Sequence, residues 1–350
     1  MPMIGPNALF SNLLDDKEVA DAFGEAATLK HYIAFEVALA YALEKAGLAE
    51  TGAGLAVDQL AGTFQPDVAV IAQKTSEDGV TIPEFVRQFR AHVGETYAKA
   101  IHTGATSQDV MDTATVLSLK ETAGILSGRI DQLNAALRSL CEQASGVEIM
   151  GRTRMQAALP IPLTARIDVW QRSIAAITQT LDEVTTSLPV QLGGAVGTRH
   201  AFGDKGQEIT DEIAGRLGLV SSSSCWHAQR DILVRYADVL SRLTGSLAKL
   251  GQDVALMVQQ GVDELTIRSG GSSSAMPHKR NPVKAEVLVS LGRYNAIHLS
   301  GMHQAVIHEQ ERSGAAWTLE WMILPSMCMA AGKALSLSVE LVKSLDVPKT

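Results

Sequence analysis

Residues 232–258 read ILVRYADVLSRLTGSLAKLGQDVALMV, and Ile232, Tyr236, Val239, Leu243, Leu247, Leu250, Val254 and Met257 fall at alternating steps of three and four. That spacing lays one apolar stripe along a helix much longer than the globular average. Leu233, Val234, Leu240 and Val258 flank the stripe, so the helix must bury more than one side, and a single chain is expected to fall short of covering it. Two further stripes share the period: Leu119, Ala123, Leu126, Ile130, Leu133, Leu137, Leu140, and Leu163, Ile167, Trp170, Ile174, Ile177, Leu181, Val184, Leu188. Two more helical stretches run from about Pro282 to Gln310 and from about Ala315 to Leu345, the second bent or restarted at Pro325. Five long helices across residues ~110–345 predict an all-α protein built on a long-helix bundle.

Before the bundle, residues 1–101 read as a small N-terminal helical domain, with breaks at Gly47 to Gly54, Phe64 to Pro66 and Thr81 to Pro83. Residues 102–350 form the bundle domain, and no persistent period-two alternation predicts a sheet. No internal repeat is present.

Of 350 residues, 46% are apolar, enough for a sizeable core, which excludes disorder as the main state. Thirty basic against thirty-eight acidic residues give a net charge of −8, so the overall field repels nucleic acid, and any bound anion must be held locally. The N-terminus lacks a basic start followed by an apolar run, which predicts a cytoplasmic protein. The apolar stretch from Trp321 to Ala331 is interrupted by Pro325 and falls short of the roughly 20 residues of a membrane span. Cys141, Cys225 and Cys328 form neither a disulfide framework nor a CxxC pair, and are expected to be buried thiols.

Three polar, glycine-containing segments interrupt the bundle pattern at expected helix ends, where open backbone N–H groups can take anions. The first is His102-Thr103-Gly104-Ala105-Thr106-Ser107-Gln108-Asp109. An ordinary N-cap accounts for any one of its hydroxyls, but Thr106, Ser107 and the N–H groups together suit a carboxylate. The second, Gly151-Arg152-Thr153-Arg154-Met155-Gln156, precedes a helix opened by Pro160 and Pro162. Paired arginines often do no more than solvate a surface, yet their planar donors fit carboxylates.

The third segment, 269–282, reads SGGSSSAMPHKRNP. A flexible linker accounts for its first half only, and a mobile loop carrying a serine fits the whole better. Its three basic residues lack the aromatic interleaving of a nucleic-acid patch. The sequence His308-Glu309-Gln310-Glu311-Arg312 has no second histidine for an HExxH zinc site, Gly193 to Gly197 does not match GxGxxG, and no Walker motif occurs. No metal or nucleotide cofactor is implied.

These segments resemble the fumarase/aspartase superfamily, over roughly residues 1–345. The signature GSSxMPxKxNP is matched by residues 272–282, with Ser272 in the glycine's place. Within the superfamily, residues 103–109, Trp226-His227-Ala228-Gln229-Arg230-Asp231 and residues 311–321 are most similar to the 3-carboxy-cis,cis-muconate cycloisomerase branch. The resemblance implies closure of 3-carboxy-cis,cis-muconate to 4-carboxymuconolactone, in the protocatechuate branch of the β-ketoadipate pathway. It further implies no cofactor, a small polycarboxylate substrate, and a homotetramer that shares active sites and a central bundle.

By the same resemblance, Ser273 acts as the proton donor, with Lys279, Asn281, Thr106 and Ser107 stabilising developing charge. Arg152, Thr153, Arg154, Gln156, Arg230 and Arg312 hold the substrate, and His102, Asp109, His227, Met276, Glu286 and His308 support them. Arg154 stands where the superfamily's lyases usually carry a histidine, which disfavours a C–N lyase of the adenylosuccinate or argininosuccinate type and predicts an Arg154–Glu286 contact. The chain also stops where many relatives continue into a small C-terminal helical domain. The remaining alternative is a helical scaffold without activity, against which the joint presence of Ser273, Lys279 and Asn281 argues.

Overall fold

The computed structural model describes residues 8–268, 271–272, 276 and 279–348. Among these residues, five short helices and one of 21 residues come first: α1 (Ser11–Leu14), α2 (Lys17–Ala22), α3 (Glu25–Lys45), α4 (Ala53–Ala61), α5 (Val68–Asp78) and α6 (Ile82–Val93). The expected breaks separate α3 from α4, α4 from α5 and α5 from α6. Asp67 accepts the Val70 N–H to start α5, and Pro83 occupies the first turn of α6, where a missing N–H is harmless.

The bundle consists of α7 (Ser107–Gln143), α8 (Leu163–Thr186), α10 (Asp231–Met257), α11 (Val283–Gln304) and α12 (Gly314–Lys343), with α9 (Gly206–Leu217) inserted between α8 and α10. The stripe residues on α7, α8 and α10 are buried, except Ile232, which is half-buried, and they belong to one large core. α10 lies along α11 and also packs on α8 and α12, while α7 packs on α8 and α12. A second, smaller core joins Phe35, Leu39, Phe85 and Phe89 to Leu192, Phe202 and Ile209, because α9 packs along α3.

The chain covers α10 in part: Leu233 and Leu240 are buried, while Val234 and Val258, like Ile232, stay half-buried. Several expectations need correction. α12 runs through Pro325 as one helix, so its 30 residues are long and apolar enough to cross a membrane, yet they are mostly packed inside the bundle. Only Cys328 is fully buried, whereas Cys141 and Cys225 are half-buried.

The largest difference lies at residues 148–162, which form an antiparallel hairpin of β1 (Glu148–Thr153) and β2 (Gln156–Pro162) rather than the first turn of a helix. A residue before proline is pushed to extended geometry, so Pro160 and Pro162 keep Leu159 and Ile161 in a strand, and α8 starts only at Leu163. The register shifts between Met150 and Arg152, and at Gly151 an added Cβ would meet Leu159 O at 2.7 Å. Among the described residues, four more short strands pair near the third segment: β3 (Thr266–Ile267) with β6 (Leu345–Asp346), and β4 (Gly271–Ser272) with β5 (Arg280–Asn281).

Candidate active site

The N-terminus of α7 is organised by one buried carboxylate. Thr106 is the N-cap, and its backbone N–H donates to Asp109 Oδ2 at 2.9 Å. Asp109 also accepts the N–H groups of Gly193 (2.7 Å) and Gly194 (3.0 Å) and the Nε2 proton of His227 (2.7 Å). The carboxylate thus fastens the helix start to the glycine turn at 193–194 and to the segment before α10. Gly194 has φ +70 and an added Cβ would meet Gly104 O at 2.8 Å, so the close approach of the two turns requires glycine.

Burial opposes a charge on His227, but the hydrogen bond to Asp109 and then the Cys225 sulfur outweigh it and raise its pKa to about 9. Its neighbour Gln108, also buried, donates to His227 O at 3.0 Å and accepts from Arg312 Nε at 2.9 Å. Arg312 continues to Thr106 Oγ1 (3.2 Å) and Ala195 O (3.3 Å). Thr106, half-buried Ser107 and exposed Arg312 therefore meet at one helix N-terminus, as a carboxylate site requires.

His102 flanks this mouth at φ +59, with its N–H and Nδ1 each bonded to the fully buried Glu36 carboxylate at 2.7 Å. Burial opposes the charged ring, yet Glu36 outweighs it and holds the histidine pKa above its ordinary value.

Behind the site, the structure corrects the role expected of Arg230. It is 1% exposed and faces inward, bonded to Asp112 at 2.6 and 2.9 Å and to Glu320 at 2.8 and 2.5 Å. Trp317 Nε1 and Gln191 Nε2 also donate to Asp112, at 2.9 and 3.3 Å, and Trp226 lies 4.9 Å beneath the guanidinium. Burial penalises the charges, but Arg230 outweighs it at Asp112, whose carboxyl is held below its usual range. Arg230 therefore clamps α7, α10 and α12 together instead of binding substrate. His308 belongs to the same cluster, its Nε2 being 3.4 Å from Glu320 Oε1. Sequence reasoning missed Glu36, Asp112 and Glu320, whose one signal is an acidic group at a position that the helical period turns inward, and Gln191, which lies in the stretch after α8 and carries no such signal.

The remaining predicted residues gather at the opposite end of the bundle. α7 has 37 residues, which at 1.5 Å per residue separates Thr106 from the β1–β2 hairpin by about 55 Å. Arg152 pairs with Glu264, which also accepts from Arg166 at 3.1 Å. Thr153, Arg154 and Gln156 are exposed at the tip, where Arg154 and Met155 take φ of +49 and +67. Glu264 leads into the signature segment, so that segment shares this end. Lys279 is exposed, and its N–H donates to Met276 O at 3.0 Å; Asn281 pairs with Gly271. Met276 and Glu286 are exposed, and Ser273 lies outside the described residues. Among the described residues, no ion pair joins Arg154 to Glu286 within the chain, since each projects from its own exposed turn. One chain thus assembles the 102–109 and 312–320 segments but leaves the 151–156 and 279–282 segments at the far end.

Comparison with known proteins places this geometry. The family described as lyase matches residues 16–293. The chain is 33% identical to a 3-carboxy-cis,cis-muconate cycloisomerase from Acinetobacter baylyi, over 97% of this chain and 77% of that protein. It is 32% identical to the protein of that name from Pseudomonas aeruginosa, over 99% of this chain and 77% of the relative. The crystal structure of 3-carboxy-cis,cis-muconate lactonizing enzyme from Pseudomonas putida superposes with a TM-score of 0.90 at 30% identity, covering 98% of this chain and 78% of that one.

Proposed function

The chain belongs to the lyase family, that of the fumarase/aspartase superfamily, and from this premise we propose that it closes 3-carboxy-cis,cis-muconate to 4-carboxymuconolactone. The observation that carries this reading is the meeting of Arg312, Thr106 and Ser107 at the N-terminus of α7, in a chain about a third identical to cycloisomerases over nearly its whole length.

In this reaction a substrate carboxylate oxygen adds across a conjugated double bond, and negative charge develops on the carbon beside another carboxylate. That charge spreads into an enolate-like aci-carboxylate, which calls for N–H and cationic donors at the place where it forms, followed by one proton. Arg312 and the Thr106 and Ser107 hydroxyls hold one carboxylate against the positive end of α7. Lys279, Asn281, Arg152 and Arg154, with Thr153 and Gln156, supply the second set of donors, and Ser273 delivers the proton.

Because about 55 Å of helix divides the two sets, a complete site takes them from different copies, so the working enzyme is an oligomer, a homotetramer in this reading. The exposed apolar side chains Ile297, Ile307 and Met322, on and between α11 and α12, give such copies a surface to share.

Purified protein should remove the ultraviolet absorption of the conjugated diene on addition of 3-carboxy-cis,cis-muconate. Unchanged absorption, together with release of fumarate from argininosuccinate or adenylosuccinate, would replace this reading with a C–N lyase.

A further inference from the structure

Cys225 stands at the rim of the Asp109 cluster, half-buried, directly after the exposed Ser223 and Ser224. Its sulfur accepts the His227 backbone N–H at 3.4 Å. A Cβ placed on Gly193 would lie 2.4 Å from Cys225 Sγ and 2.7 Å from His227 Cε1, so sulfur and imidazole crowd one point beside the glycine turn. The ring is oriented from behind by Asp109, which takes the Nε2 proton and is itself fixed by the Gly193 and Gly194 N–H groups.

That arrangement leaves Nδ1 of His227 without a hydrogen-bond partner in a residue only 2% exposed. Buried ring nitrogens normally have partners, and the group that the ring meets on the sulfur side is Cys225, whose interaction with the imidazole adds to that of Asp109. Sulfur and imidazole thus lie side by side with Nδ1 left open and Asp109 orienting the ring, and a base beside a cysteine, with a carboxylate behind the base, forms the set from which an activated thiol is built.

We propose that Cys225 is an oxidation site for small hydroperoxides, with His227 holding the thiol proton and Asp109 holding the imidazole. Sulfur attacks one peroxide oxygen, so that the S–O bond forms as the O–O bond breaks; sulfur loses two electrons and the peroxide gains them. The thiol proton, taken up by the imidazole, passes to the departing hydroxide of hydrogen peroxide, or alkoxide of an organic hydroperoxide, to give water or an alcohol, and cysteine sulfenic acid remains. The crowding at Gly193 admits a small oxidant and disfavours a bulky one. An oxygen added to Sγ presses on the 193–195 turn, which carries the Ala195 carbonyl that holds Arg312. Oxidation therefore loosens the carboxylate site from outside it.

Cys141 is the internal control, being half-buried too but packed against the apolar bundle core. With hydrogen peroxide as the probe, the remaining thiols are alkylated in denaturant and each cysteine is quantified by mass spectrometry. Cys225 should oxidise about tenfold faster than Cys141, and His227→Phe should bring the two rates together. Equal rates in the unaltered protein overturn the proposal, whether or not the histidine variant folds. In a second measurement, Cys225→Ser should keep its turnover after peroxide treatment that inactivates the unaltered protein; inactivation of both overturns the link to the site. The oxidation rates need no substrate, so they stand even if the lactonising activity is refuted.

Discussion

The two ends of the bundle use the same residue types in opposite ways. At the Thr106 end, Arg230 is buried between Asp112 and Glu320, and Asp109 is buried under four donors, so charge there locks the helices into one arrangement. At the hairpin end, Arg154 is exposed, and Arg152, its side chain 34% exposed, makes an ion pair with Glu264. A buried arginine whose N–H donors are all taken by protein acceptors is a fastener. One at a surface turn remains open to a ligand, so burial rather than residue type separates structural from binding arginines.

The largest expected effect breaks the fastened end. Arg230→Ala leaves two uncompensated buried carboxylates and should destabilise the fold by about 3–5 kcal/mol, read from urea unfolding, whereas Arg152→Ala at the other end should cost at most ~1 kcal/mol. Similar losses for the two variants would erase the contrast.

Next comes binding. Arg312→Ala should raise KM ten- to a hundredfold, roughly 1.5–3 kcal/mol, and lower the melting temperature less than Arg230→Ala does, since Gln108 Oε1 is the one buried acceptor that loses its partner. Arg154→Ala should raise KM by as much from the far end. If the two ends meet between copies, refolding the two variants together should return part of the activity to the unaltered KM, because some sites then receive both intact halves. No recovery would mean that each copy works with its own residues.

A smaller effect concerns pH. The folded-state pKa of His227 is raised to about 9, above the value for an unfolded chain. Its contribution is complete below that unfolded value and is lost as pH rises through about 9. The melting temperature should therefore fall over that window, and His227→Gln should flatten the decline.

The helix stripes could be read from the chain because burial repeats with the helical period, and almost every residue assigned to them is buried. The 102–109 segment was readable for a similar reason, since capping chemistry is local. Arg230 was misread because its partners lie 118 and 90 residues away in sequence, where no spacing rule reaches. The hairpin was missed because prolines open helices and end strands alike, and only the pairing of Glu148 with Pro162 distinguishes the two. The contact expected between Arg154 and Glu286 is absent within one chain because the hairpin tip and the first turn of α11 each present their side chain to solvent.

The unbroken run of α7 from Ser107 to Gln143 also acts as a molecular ruler. Lengthening it by four residues would move the hairpin about 6 Å outward and turn it by about 40° relative to Thr106. Each half would keep its local bonds while losing phase with its counterpart. An insertion in the middle of this helix would also slide its buried stripe past α8 and α12, so it should cost stability as well as turnover, whereas one of equal length in a surface loop should cost little of either.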